Sequence, residues 1–167
     1  MNDGSSDSYS TLVEQVLALV DGERDYVANM ANASSLLYNE FLKAGRSANW
    51  IGFYIARSPD ELVLGPFMGE PACIRIRRGK GVCGTAMDEA KTQLVPDVHE
   101  FDGHIACSAA TNSEIVVPVF HRGVVVAVLD LDSTEFSHFT EDDVVGLERI
   151  AQIIGDGCDW PNLKELE

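Results

Sequence analysis

The chain is short of positive charge. Its 12 Lys and Arg face 27 Asp and Glu over 167 residues, for a formal net charge of −15 at pH 7. Nucleic acid and anionic membrane surfaces are bound through a basic face, so neither is an expected partner. Long apolar runs are missing too. Nothing approaches the roughly 20 residues that span a bilayer, and the polar start from Met1 to Ser8 lacks the apolar core of a signal peptide. The expected location is the cytoplasm. Cysteine is scarce, with only Cys73, Cys83, Cys107 and Cys158 widely scattered along the chain. Without an export signal this predicts thiols in a reducing compartment rather than a disulfide framework. No C-x-x-C pair is present, and a compact metal site usually has one close-spaced pair. A zinc site built from Cys73, Cys83, His104 and Cys107 is therefore disfavoured, and no metal is expected.

What the chain does have is 46% apolar residues, enough for one ordinary domain over residues 1–167. Residues 1–9 are expected to be a frayed polar tail. Thr11 and Glu14 form a capping box ahead of Leu12, Val13, Val16, Leu17 and Val20 at helical spacing. A second helix is expected from Asp25 to Ala44. Its stripe is Val27, Met30, Ala31, Ser34, Leu37, Tyr38, Phe41 and Leu42.

The period then changes to two. From Asn49 to Arg57, Ile51, Phe53 and Ile55 face one way, and Trp50, Gly52, Tyr54 and Ala56 the other. Ser58-Pro59-Asp60 turns into a partner strand over 61–65. Further strands are expected over 73–78 and 92–95, with a short helix from Gly79 to about Ala90 between them. The connection 96–113 is long enough to act as a lid. Two long strands follow, 114–121 and 124–132, joined at Arg122-Gly123 in a hairpin. Val124 to Asp132 is apolar on both faces, as a central strand should be. Thr140 and Asp143 cap a last helix. Helices, a mostly antiparallel sheet, then a helix make an α+β domain.

Three groups of residues stand out chemically. Cys107 lies in a polar loop with His104, Ser108 and Thr111 before a buried strand, a setting for a reactive thiol rather than a core one. Asp130 and Asp132 are two apart, so both side chains leave the same face of the central strand, and Glu114 enters the strand beside it. One such carboxylate is readily a core acceptor; two on one face with a third nearby are hard to explain structurally. Three carboxylates together suit an ammonium group, and their mutual repulsion keeps at least one proton in place. Trp50 and Tyr54 share a face, which core packing alone would also explain. Gly79-Lys80-Gly81-Val82-Cys83-Gly84 spells G-x-G-x-x-G, but no parallel βαβ unit follows, so it reads as a tight turn. Arg75, Arg77, Arg78 and Lys80 read as a solvated edge that deters strand pairing; a docking face for an acidic partner is the alternative. His99, His121 and His138 read as surface or hydrogen-bonded residues.

Trp50-Ile51-Gly52-Phe53-Tyr54, Gly79 to Thr85, the cysteine-loop-glutamate stretch and Leu129-Asp130-Leu131-Asp132-Ser133 together resemble the GAF fold. More narrowly, they are similar to the free methionine-(R)-sulfoxide reductases, over about residues 10–155. The resemblance implies reduction of free L-methionine (R)-sulfoxide without a bound cofactor, regenerated by an external thioredoxin-like reductant. It implies Cys107 as nucleophile, Cys73 as the thiol that forms a disulfide with it, and Cys83 as an auxiliary thiol passing the disulfide on. It places Glu114, Asp130, Asp132, Trp50 and Tyr54 in the substrate pocket. Backbone N–H groups around Ile105, Ala106 and Cys107 are the expected donors to the substrate carboxylate. Cys158 lies outside the pattern and has no assigned role. A homodimer is left open. The rivals are a non-catalytic GAF ligand sensor and a redox sensor whose disulfide is itself the signal.

Overall fold

The computed structural model describes residues 4–103 and 108–167, with only the backbone for residues 4–8. Eleven elements follow in order: α1 (Gly4–Val20), α2 (Tyr26–Lys43), β1 (Trp50–Ser58), β2 (Glu61–Gly69), β3 (Arg75–Arg77), α3 (Gly81–Glu89), β4 (Gln93–Val95), β5 (Ser113–His121), β6 (Val124–Ser133), α4 (Glu141–Gly157) and α5 (Leu163–Leu166). The strands form one six-stranded sheet in the order β3-β2-β1-β6-β5-β4, every neighbouring pair antiparallel. This is the expected α+β architecture, and β6 is central.

Alternation along the strands divides the interior into two cores. Ile51, Phe53, Ile55, Ile115, Val117, Leu129 and Leu131 face α1, α2 and α4. Trp50, Tyr54, Ala56, Val116 and Val128 face α3, where Val82, Cys83, Ala86 and Met87 complete the second core. At the end of the β5–β6 hairpin, Arg122 and Gly123 both take positive φ, 51° and 79°. Such a turn matches the twist of its strands and fixes their register.

Three boundaries and one helix face differ from the sequence expectation. Helix α1 starts at Gly4, so Thr11 lies inside it rather than at its N-cap. Tyr9, expected in a frayed tail, donates its hydroxyl to Asp143 Oδ1 at 2.7 Å, and tertiary contact outweighs the local capping signal. On α2 the buried residues include Asn29, Ala33 and Ser34, while Val27 and Leu42 are exposed and Ala31 faces outward. The stripe was drawn too wide. Strand β2 continues to Gly69, because Gly65 and Pro66 sit in a bulge opposite β1 rather than ending the ladder. Strand β3 pairs only at Arg75–Arg77, so Cys73 precedes it on an irregular segment. Its arginines are exposed at the sheet edge, as expected of a solvated border.

Asp143 ties the N-terminal half to α4. It accepts from Arg46 at 2.7 and 2.9 Å, from Tyr9, and from the Thr140 backbone N–H at 2.8 Å, which closes the expected cap. Burial alone would raise its carboxyl; these donors, Arg46 foremost, hold it below the usual carboxylate range. Among the described residues no helix is long and apolar enough to cross a membrane.

Candidate active site

Strand register builds the site. Asp132 pairs with Trp50 on one side and Glu114 on the other, so the row Trp50–Asp132–Glu114 crosses β1, β6 and β5. Two residues along, Gly52, Asp130 and Val116 form the next row on the same face. The roof comes from α3, with Gly81, Val82 and Cys83, and from Ala72, Ser108 and Thr111. Together they enclose a cavity of about 50 Å³. The expected pocket residues Trp50, Tyr54, Glu114, Asp130 and Asp132 all line it, and so does Cys83, expected as the auxiliary thiol.

Glycine makes the aromatic wall possible. A side chain at Gly52 would put its Cβ 2.2 Å from Phe67 Cβ, so only glycine lets β2 come this close. Phe67 then stacks on Trp50 with centroids 5.1 Å apart, and Trp50 on Tyr54 at 5.7 Å. Both polar ends are satisfied. Trp50 Nε1 donates to the Glu70 carbonyl at 3.1 Å, and Tyr54 Oη to the Cys73 carbonyl at 2.9 Å. The second bond fixes the segment that carries Cys73 against the pocket wall.

The acids are pushed toward the neutral form. Glu114 and Asp130 are 6% and 5% exposed, and Asp132 is half-buried at the cavity side. Burial pushes all three carboxyl groups well above their ordinary range, and their mutual repulsion adds to it. Glu114 and Asp130 are hydrogen-bonded to each other, so the pair can share a proton between its two carboxyl groups. Cys83 Sγ lies 4.0 Å from Glu114 Oε1, and burial, then the surrounding acids, push its thiol up as well. Cys83 therefore sits in the site as a neutral thiol, an unpromising nucleophile.

Cys73 is half-buried and disulfide-bonded, whereas Cys83 and Cys158 are free thiols. His104, Ile105, Ala106 and Cys107 lie outside the described residues. Their flanks are anchored: Val98 donates to the Asn112 carbonyl at 3.0 Å, and Asn112 to that of Ser133 at 2.8 Å. Cys158 is fully buried against α2, accepting from Asn29 Nδ2 at 3.4 Å. His99, His121 and His138 each hydrogen-bond nearby groups away from the cavity. The G-x-G-x-x-G turn is tight as expected: a Cβ at Gly84 would stand 2.3 Å from the Arg77 carbonyl.

A GAF domain model matches residues 17–157. The free methionine-R-sulfoxide reductase of Escherichia coli is 48% identical over 85% of this chain and 83% of its own. The chain belongs to the GAF domain family, among the free methionine-R-sulfoxide reductases. The reductase of Saccharomyces cerevisiae is 41% identical over 95% of this chain and 92% of its own. The crystal structure of the Neisseria meningitidis enzyme in complex with its substrate superposes with a TM-score of 0.85 at 40% identity, covering 93% of this chain and 90% of that one.

Sequence reasoning missed some of the lining. Ala72, Ile76, Lys80, Gly81 and Val82 reach the cavity from α3 and the segment around β3. Lys80, Gly81 and Val82 belong to the G-x-G-x-x-G turn, but no local pattern aims them or Ala72 and Ile76 at the cavity, because α3 crosses the sheet at a position that only the fold determines. Ser108 and Thr111 were noticed as polar neighbours of Cys107, and that polarity is the signal that they line a site. Among the described residues, Cys83 Sγ and carboxylate oxygens of Glu114 and Asp130 lie within 4.8 Å of one another.

Proposed function

We propose that this chain, folded as one GAF-like unit, reduces free L-methionine (R)-sulfoxide to L-methionine through a thiol–disulfide cycle. The observation that carries the reading is the convergence of three neutral-prone carboxyl groups and a stacked aromatic wall on one cavity, in a member of this reductase family.

In this reading the Cys107 thiolate attacks the sulfoxide sulfur while the Glu114–Asp130 pair protonates the oxygen. Oxygen passes to Cys107 as a sulfenic acid and methionine is released. The Cys73 thiol then condenses with the sulfenic acid, expelling water and leaving a disulfide. The sulfoxide gains the two electrons that the two thiols lose. A thioredoxin-type dithiol returns the protein to its reduced state. That Cys73 stands oxidised while Cys83 and Cys158 are thiols supports this pairing.

The acid trio receives the substrate ammonium, and Trp50 and Tyr54 enclose its methyl and sulfur end through apolar and sulfur–aromatic contact. Backbone N–H groups of Ile105 and Ala106 take the substrate carboxylate. Cys83 enters as a wall of the pocket; a relay role would require it to ionise among three carboxyl groups. Cys83→Ala should therefore retain most of the turnover, whereas Cys107→Ser abolishes reduction and Cys73→Ser completes about one turnover and stalls.

The ammonium cage makes a sharper test. Methionine sulfoxide inside a polypeptide offers an amide in place of the ammonium, so an oxidised protein should be reduced at least 100-fold more slowly than the free amino acid. Comparable rates would overturn the cage.

A further inference from the structure

Beside the two acids used in reduction, the acid end of the cavity carries Cys83, a thiol that the reaction does not require. Cys83 Sγ, an oxygen of Glu114 and an oxygen of Asp130 all lie within 4.8 Å of one another. They come from α3, β5 and β6, so their separation is set by the packing of a helix on a sheet. All three side chains are buried. A second, independent observation points into the same space: Asp130 Oδ1 is buried and, among the described residues, has no hydrogen-bond partner. Buried polar atoms are rarely left this way, and an ion is one of the usual reasons. Lys80, the only basic side chain among the described residues lining this cavity, is itself exposed to solvent.

One sulfur and two carboxylate oxygens make a borderline-soft set. Mg²⁺ and Ca²⁺ prefer shells of oxygen alone, whereas Zn²⁺ and Cd²⁺ accept thiolate beside carboxylate. Three protein ligands leave a fourth position for water, and a cavity of about 50 Å³ has room for one. We propose that Cys83, Glu114 and Asp130 bind a thiophilic divalent cation of the Zn²⁺ class, and that the bound ion shuts the acid cage against the substrate ammonium. Binding replaces protons on the ligands and moves no electrons. The site itself is independent of the reductase reading; the inhibition rests on that reading's ammonium cage.

Cd²⁺ serves as the probe, because thiolate coordination gives it an ultraviolet charge-transfer band. The full chain is titrated with the Cys73 disulfide intact, so that Cys83 and Cys158 are the free thiols. The expected result is a saturable band at one Cd²⁺ per chain in the wild type and in Cys158→Ala, at least tenfold weaker binding in Asp130→Asn, and no band in Cys83→Ser. A wild type without a band, a band that survives Cys83→Ser, or one lost in a folded Cys158→Ala overturns the site. Should Cys158→Ala fail to fold, Cys83→Ser and Cys83→Ala decide alone, since both keep Cys158. L-methionine should weaken Cd²⁺ binding several-fold and N-acetyl-L-methionine should not. A band indifferent to both overturns the ammonium cage and the inhibition while leaving the ion site standing.

Discussion

Leu129 and Leu131 leave one face of β6, Asp130 and Asp132 the other, and the buried members of the two sets are withdrawn from water to nearly the same degree. Leu129 and Leu131 are 0% exposed and Asp130 is 5% exposed. On the helix-covered face that burial drives folding, because apolar surface leaves water. On the cavity face it opposes folding, because carboxyl groups lose hydration; their shift toward the protonated form and the Glu114–Asp130 hydrogen bond offset part of that loss. One face supplies stability and the other holds strained protonation states ready for use. A strand delivers both at once because its side chains alternate.

The largest expected effect separates the faces directly. Asp130→Asn should lower kcat/KM by at least 100-fold, since it removes one of the paired acids that protonate the oxygen, while leaving the thermal midpoint equal or higher at neutral pH. Leu131→Ala should do the reverse, costing about 2–5 kcal/mol of stability and little activity per folded molecule. Denaturant melts and steady-state kinetics on the two variants check both halves. An Asp130→Asn protein that is destabilised and fully active would erase the distinction.

pH sharpens the same contrast. The three acids titrate higher in the folded than in the unfolded chain. The folded state therefore binds more protons, and stability falls as pH rises from the ordinary carboxylate range toward the folded values. Asp143 has the opposite sign: its carboxyl is depressed, so its contribution is present above the unfolded value and lost as pH falls. Between pH 5 and pH 7 the acid trio dominates, and the stabilisation from Asp130→Asn should be larger at pH 7 than at pH 5. Equal gains at both would show that Asp130 is ordinary in the fold.

Smaller effects lie away from the cavity. Arg46→Ala leaves the nearly buried Asp143 with fewer donors and should cost about 2 kcal/mol, with kcat/KM unchanged. Val27→Ala should change stability by no more than about 0.5 kcal/mol, because Val27 is 45% exposed; a larger loss would restore it to the stripe that the sequence pattern suggested.

Strand parity was legible from sequence because it is local. Asp130 with Asp132, and Trp50 with Tyr54, needed only the two-residue repeat, and the Arg122-Gly123 turn and Thr140 cap needed only their own neighbours. The start of α1 was not legible, since the Tyr9–Asp143 bond joins residues far apart in the chain and a local capping box at Thr11 gave a plausible false start. The approach of Cys83 to Glu114 and Asp130 was invisible for the same reason. Cysteine spacing carries no trace of it, because the donors that converge come from a helix and two strands. The cavity lining from Ala72 to Val82 likewise depends on where α3 crosses the sheet.

The central claim is that this cavity supports a two-thiol reduction of one sulfoxide epimer. The most direct measurement mixes fully reduced protein with each epimer of free methionine sulfoxide in the absence of reductant, then counts methionine and remaining thiols. With the (R) epimer the account predicts one methionine per chain and the loss of two thiols, leaving the two thiols of Cys83 and Cys158, and with the (S) epimer neither. Methionine formed without thiol loss, or equal amounts from both epimers, would contradict it.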